Sequence, residues 1–301
     1  MSRIRHATPA ALDWFALLLL IGVWGTSFAV IKVALIGIGP HWLAAGRLTI
    51  AALLVAIVFA PRLKPLARRR DYLSLLLLGI VGNTIPFVFI GWASLTVPSA
   101  VVGLVMATSP IQVMLLSLVL LPEEKLTPAR LGGLLLGFSG VALVIFGRPE
   151  GSTAAPISGD LLPYLALLVA AGCYALNTII ARRLGAIPVA ARGFGVLAGA
   201  AMAATLFAAM TEPFPVSAPL ESVIGLLYLA AIPTGAAGML VYWLLDRTSA
   251  RFVVQTNYVV PVIAVLVGAL ALGETLGPLQ YGGVVVILAG LLLAEQVWRR
   301  R

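Results

Sequence analysis

Pro110-Ile-Gln-Val, an apolar run to Leu121, Glu124-Lys-Leu-Thr-Pro128-Ala-Arg-Leu-Gly132-Gly133 and then Gly140 form a string that the chain writes a second time. The second copy reads Pro261-Val-Ile-Ala, apolar residues to Leu272, Glu274-Thr-Leu-Gly-Pro278-Leu-Gln-Tyr-Gly282-Gly283 and Gly290. Pro110 and Pro261 are 151 apart, whereas the Glu, second Pro and Gly positions repeat at 150. Outward from this string, Trp92 and Trp243 are also 151 apart. Trp24-x-x-Ser27-x-x-x-x-Lys32 stands 150 before Tyr174-x-x-Asn177-x-x-x-x-Arg182. The chain therefore divides into two copies of one pattern, residues 1–150 and 151–301. Internal symmetry in an apolar chain points to transporters.

Hydrophobic residues make up 61% of the 301 and charged residues 10%, with a mean hydropathy of +1.08. Soluble domains carry about 25% charge, so this chain cannot cover itself for water and its solvent must be lipid. The net charge of +9 comes from short basic clusters between apolar runs, which set membrane orientation rather than bind nucleic acid. Cys173 is the single cysteine, so no disulfide framework is expected. His6 and His41 are too few and too far apart for a metal motif. The first apolar run is too long for a signal peptide and lacks a cleavage site.

A helix needs roughly 20 mainly apolar residues to span a bilayer. Ten such runs are present, at 12–35, 41–60, 72–93, 98–121, 128–147, 160–182, 192–211, 221–245, 250–272 and 277–298. Of 20 Lys and Arg residues, 17 fall on one set of loop ends and termini, leaving only Lys32, Arg47 and Arg148 on the other. The positive-inside rule puts both termini in the cytoplasm. Five spans per copy is an odd number, so the second copy enters from the opposite side. The expected fold is all-α and integral to the membrane, ten transmembrane helices as two inverted five-helix repeats, an arrangement suited to alternating access.

Several residue types within the spans bear on function. Pro110 and Pro261, mid-run in both copies, break helix hydrogen bonds and are expected to serve as hinges, although kinks that merely shape the bundle are common; Pro86, Pro163 and Pro233 also fall within runs. Ser27, Asn83, Thr108, Ser109, Gln112, Asn177, Gln255 and Asn257 are polar at mid-depth and should face the interior, as substrate contacts or as interhelical hydrogen bonds. Asn83, Asn177 and Asn257 have apolar and aromatic neighbours and are the best placed to line a cavity. Trp14, Trp42 and Trp298 fit the interfacial belt. Trp24, Trp92, Tyr174, Trp243 and Tyr258 are deeper or repeat-equivalent and suit apolar or aromatic solutes, with an interface role equally open for Trp92 and Trp243. Lys32 closes the first span and can snorkel. Arg47 is deeper; it can tie helices together, the simpler account, or bind a substrate carboxylate. Gly133, Gly137 and Gly140 on the fifth run, and Gly195 and Gly199 on the seventh, allow close helix packing.

Trp24-Gly25-Thr26-Ser27-Phe28 with Lys32, Pro40 through Arg47, and Leu272-Gly273-Glu274 followed by Gln280, Gly282 and Gly290 resemble the EamA family of the drug/metabolite transporter superfamily. The resemblance covers nearly the whole chain and is closest in overall pattern to the aromatic amino-acid exporters of the YddG type. It implies a ten-helix bundle around a central solute cavity and export of small metabolites from the bacterial inner membrane. The first copy departs at Leu121-Pro122-Glu123-Glu124, where the family has a plain Gly-Glu, and Tyr174 stands where the first copy has a tryptophan. The expected function is secondary export of amino acids, aromatic or neutral, by alternating access; the alternative is multidrug or other metabolite efflux. Drug cations call for a mid-span carboxylate, and no run carries one at mid-depth. An enzyme would need a nucleophile and base or a metal site, and no such motif or P-loop occurs. No cofactor is expected, the partners are a small solute and lipid, and the working unit is expected to be a monomer.

Overall fold

The computed structural model describes residues 9–63, 65, 66, 68–120, 127–147, 161–182, 187–248 and 250–299, and all regular secondary structure among them is helical. The helices are α1 (Ala11–Ala34), α2 (Pro40–Phe59), α3 (Arg69–Ala93), α4 (Ser99–Leu120), α5 (Pro128–Phe146), α6 (Leu162–Arg182) and α7 (Val189–Thr211). After them come α8, in the segments Leu220–Leu229, Ala230–Ala236 and Ala237–Arg247, α9, in the segments Ala250–Val254 and Thr256–Leu272, and α10 (Pro278–Arg299). Eight of these are long and apolar enough to cross a bilayer, while the apolar parts of α5 and α10, Leu131–Phe146 and Pro278–Leu293, are shorter. Glu124 and Arg148 lie outside the described residues, as do Arg3, Arg5 and His6.

The helices are apolar on every side. Leu270 is 86% exposed and Val119 77%, an arrangement stable only where lipid covers the surface. Local sequence sets the helix starts. Pro40, Pro128 and Pro278 occupy first helical positions, where a missing N–H costs nothing. Two carboxylates then cap helix starts across the sequence. Glu212 Oε2 accepts from the His41 and Trp42 N–H groups at 3.1 Å each, and its carbonyl accepts from the Trp42 indole at 3.0 Å. Glu274 accepts from the Ser99 N–H at 2.7 Å, the Ser99 hydroxyl at 2.9 Å and the Ala100 N–H at 2.9 Å, at the start of α4. Both satisfy N–H groups that a helix start leaves orphaned and set a negative charge against the positive end of its dipole.

Packing is pairwise: α5 lies along α10, α2 along α7, α1 along α9 and α8, and α6 along α4 and the second part of α3. The closest of these approaches is α5 on α10. A Cβ on Gly290 would stand 2.7 Å from Gly137 N and 2.8 Å from Gly133 O, and one on Gly140 would stand 2.7 Å from Ile287 N and 2.8 Å from Gly283 O. Backbones touch there because nothing else fits between them. On α3, Gly199 meets the Leu76 main chain, whereas Gly195 makes room for the Leu75 side chain.

Two kinds of irregularity interrupt the helices, each once in either half. α3 widens to a π turn at Ile80–Thr84 and α8 at Ala230–Ala236, starting 150 residues apart. α4 is jointed at Ala107 and Thr108, and α9 at Gln255. Pro110 therefore falls in the first turn of a new segment, Ser109–Leu120, where it displaces no hydrogen bond, rather than in mid-helix as the sequence suggested. Pro163 is likewise in the first turn of α6. Pro261 lies inside its helix and denies an N–H to the Asn257 carbonyl four residues before it.

Replacing Gly290 with Leu is expected to lower stability by about 1–3 kcal/mol through overpacking, read as a drop in the thermal unfolding midpoint in detergent. Gly282→Ala on the same helix, where a Cβ meets nothing within 4 Å, should leave that midpoint unchanged or raise it. Glu274→Ala strips the α4 cap and should cost about 1–2 kcal/mol by the same measurement.

Candidate functional site

A cavity of about 360 Å³ lies among α1, α2, α3, α4, α6, α8 and α9. Its aromatic wall is Trp24, Phe28, Phe87 and Tyr174, and its polar wall is Ser27, Arg47, Asn83, Ser109, Thr234 and Asn257. Pro233 and Pro261 complete it beside the irregular parts of α8 and α9.

The backbone irregularities are what shape this wall. The π turn of α8 widens the helix, and two side chains take up the carbonyls it loosens. The Trp24 indole N–H donates to the Pro233 carbonyl at 3.2 Å, and the Thr234 hydroxyl donates to the Leu229 carbonyl five residues back at 2.7 Å. Thr84, at the matching place in the α3 π turn, instead donates to the Ala200 carbonyl of α7 at 2.9 Å. At the two joints, Thr108 donates to the Val105 carbonyl at 2.7 Å and Thr256 to the Val253 carbonyl at 2.9 Å. Ser27, also on the wall, donates to the Trp24 carbonyl at 2.7 Å.

Arg47 enters from α2 and is 9% exposed. Its Nε–H donates to Thr234 Oγ1 at 2.6 Å, tying α2 to α8, and its guanidinium carbon lies 4.0 Å from the centre of the Phe87 ring. Asn83 and Asn257, both half-buried, have no hydrogen-bond partner among the described residues. No Asp or Glu lines the cavity, and no cluster of His, Cys, Asp or Glu that could hold a metal ion occurs among the described residues. The wall thus offers one fixed cation, neutral amides and hydroxyls, and aromatic faces.

Of the residues singled out by sequence, the cavity gathers Trp24, Ser27, Asn83, Ser109, Tyr174 and Asn257, together with Arg47 and Pro261. Trp92, Asn177, Trp243, Gln255, Tyr258 and Pro110 are not on its wall. Trp243 belongs to a separate cleft with Phe59, Arg62 and Met239 and carries the Arg247 guanidinium 4.6 Å from its ring centre. Trp92 stands in the last turns of α3, and Gln255 at the α9 joint. Tyr258 packs into the main core toward Leu291. Asn177 is turned against Gly82 of the π turn, with its Oδ1 buried and without a partner. The repeat equates Asn177 with Ser27, but only Ser27 reaches the cavity. Gln112, also read as polar at mid-depth, is an interhelical tie that donates to the Leu168 carbonyl of α6 at 3.1 Å. Phe28, Phe87, Met106 and Thr234 were missed. Phe87 follows Asn83 by one helical turn and Phe28 adjoins Ser27, so the i+4 and i+1 neighbours of the selected residues carried the signal.

Residues 13–146 and again residues 161–295 match the EamA-like transporter family. Over 293 residues, 95% of each chain, the sequence is 29% identical to a protein of Streptantibioticus cattleyicolor named "Probable terminal-alkyne amino-acid exporter". It is 28% identical over 302 residues, 93% of this chain and 94% of the other, to a "Probable amino-acid metabolite efflux pump" of Salmonella typhimurium. A solved crystal structure superposes with a TM-score of 0.67 at 21% identity, covering 97% of this chain and 99% of that one, so the fold is shared. The chain belongs to the EamA-like transporter family, and it is a multi-pass membrane transporter rather than an enzyme.

Proposed function

We propose that this protein exports amino acids, aromatic and neutral ones foremost, across a bacterial inner membrane by alternating access. The observation that carries the reading is the cavity. Its volume of about 360 Å³ falls within the range of small-molecule sites, roughly 300–1,000 Å³. Its aromatic faces suit apolar side chains, and its amides and hydroxyls suit an amino-acid backbone. A wall without carboxylates disfavours drug cations. The names of the two relatives, "Probable terminal-alkyne amino-acid exporter" and "Probable amino-acid metabolite efflux pump", support the same substrate class.

Two inverted five-helix repeats, residues 1–150 and 151–301, are the architecture proposed for the motion. Helix pairing supports it: α1 against α9 has its counterpart in α6 against α4, and α1 against α8 in α6 against α3. The pairs α2–α7 and α5–α10 are their own counterparts. The family match, made once in each half, and the two π turns 150 residues apart agree with the same division. Cytoplasmic termini follow from the basic loop ends, and one chain supplies the whole cavity wall, so the proposed unit is a monomer. Pro261 borders the cavity and interrupts α9, which makes it the hinge of choice over Pro110.

Liposomes containing only this protein test the function. Labelled phenylalanine and threonine are expected to show saturable flux that unlabelled tryptophan suppresses. Flux of a lipophilic cation in their place would replace amino-acid export with multidrug efflux, and non-saturating flux would make the protein a channel. Pro261→Ala is expected to slow phenylalanine flux severalfold while folded protein accumulates normally in the membrane; wild-type flux in that variant would remove the hinge.

A further inference from the structure

We infer that Arg47 is the carboxylate anchor of the central cavity, so that solutes are accepted by their free carboxylate and refused when that group is masked or missing. The inference rests on the cavity being the transport site, as proposed above. Arginine is charged at all working pH values and carries five N–H donors in a planar fork. In Arg47 one of the five is used, the Nε–H donated to Thr234, and Phe87 covers one face of the plane. These two contacts fix the orientation of the fork.

The remaining four N–H groups have no hydrogen-bond partner among the described residues, and no described carboxylate pairs with this guanidinium. They are not sealed away either: among the described residues, the buried side-chain nitrogen or oxygen atoms without a partner are Asn177 Oδ1 and Arg192 Nε, and none belongs to Arg47. The fork's outer edge therefore opens on the cavity that Arg47 lines. A charge in an apolar interior is costly when unpaired, and a carboxylate meets two parallel N–H groups of a guanidinium in a bidentate pair. Tyr174 also lines the cavity, and its hydroxyl has no hydrogen-bond partner among the described residues.

A helix tie alone would not need this arrangement, because one donor serves Thr234 and four are left facing space. The rest of the wall fits the other end of an amino acid. Its ammonium would meet the amide oxygens of Asn83 and Asn257 and the aromatic faces of Trp24 and Phe28. An amine without a carboxylate would bring a second positive charge beside Arg47 with nothing to offset it.

Competition against labelled phenylalanine on purified wild-type protein in detergent tests the assignment without any substitution. 3-Phenylpropionate, which keeps the carboxylate and lacks the amine, is expected to compete. Phenylalanine amide and phenethylamine are expected to bind roughly 100-fold more weakly, the order of loss when one member of a buried charged pair is removed. Arg47→Met should show the same loss for phenylalanine, and Arg47→Lys, which keeps the charge without the fork, a smaller one. Thermal unfolding midpoints of Arg47→Met and Arg47→Lys, measured alongside, separate the roles: if the loss of phenylalanine affinity only follows an equal loss of stability in both variants, the role of Arg47 is structural.

Phenylalanine and its amide binding alike would overturn the anchor while leaving amino-acid export standing. Direct binding of labelled phenylpropionate where labelled phenylalanine does not bind would keep the anchor and overturn the amino-acid reading. Direct binding of labelled phenethylamine where neither of the others binds would overturn the two together.

Discussion

A backbone N–H or carbonyl in lipid has no water to turn to, and an unpaired one costs several kcal/mol. This constraint governs both the regular and the irregular parts of the structure. Each helix satisfies its own interior, and several departures from the α ladder are met by a nearby side chain. The Trp24 indole serves Pro233, Thr234 serves Leu229, Thr108 serves Val105 and Thr256 serves Val253. Glu212 and Glu274 do the same for helix starts. Threonine dominates because its short hydroxyl reaches a carbonyl three to five residues back without leaving the helix surface.

The same irregularities create the space for a solute. Uninterrupted helices of this composition would pack to a closed core. A π turn adds a residue to one turn, pushes the wall outward and loosens carbonyls, and such turns gather at functional sites. The α8 π turn borders the cavity through Pro233 and Thr234, the α3 π turn through Asn83, and the α9 segment through Asn257 and Pro261. Trp24 and Thr234 therefore have a double part: they satisfy the loosened backbone and they form the wall.

The helices, their approximate bounds and the two-copy pattern were legible in the sequence because apolar length and repetition survive any packing arrangement. The polar half of the cavity was partly legible too, since Ser27, Asn83, Asn257 and Arg47 are conspicuous in apolar runs. The apolar half was not. In a soluble protein an apolar face marks the inside, but here lipid and cavity both accept Phe or Met, and nothing in Phe28, Phe87 or Met106 distinguishes them from Leu270. Repeat equivalence also misled at single residues. Asn177 matches Ser27 in sequence, yet turns against Gly82 of the neighbouring π turn, and Pro110 matches Pro261, yet lies in the first turn of Ser109–Leu120 whereas Pro261 lies inside Thr256–Leu272.

The glycine crossing of α5 and α10 has a mechanical consequence. Two backbones in contact through Gly137, Gly140, Gly283 and Gly290 have no side chains to slide over and no free volume into which to compress. Translation along either axis would drive the neighbouring Ile287 or Val144 side chain into the opposing main chain. A small rotation about the contact point meets no such obstacle. In the alternating access proposed above, the pair would be a fixed fulcrum, and displacement would be taken up by the helices that carry joints and π turns.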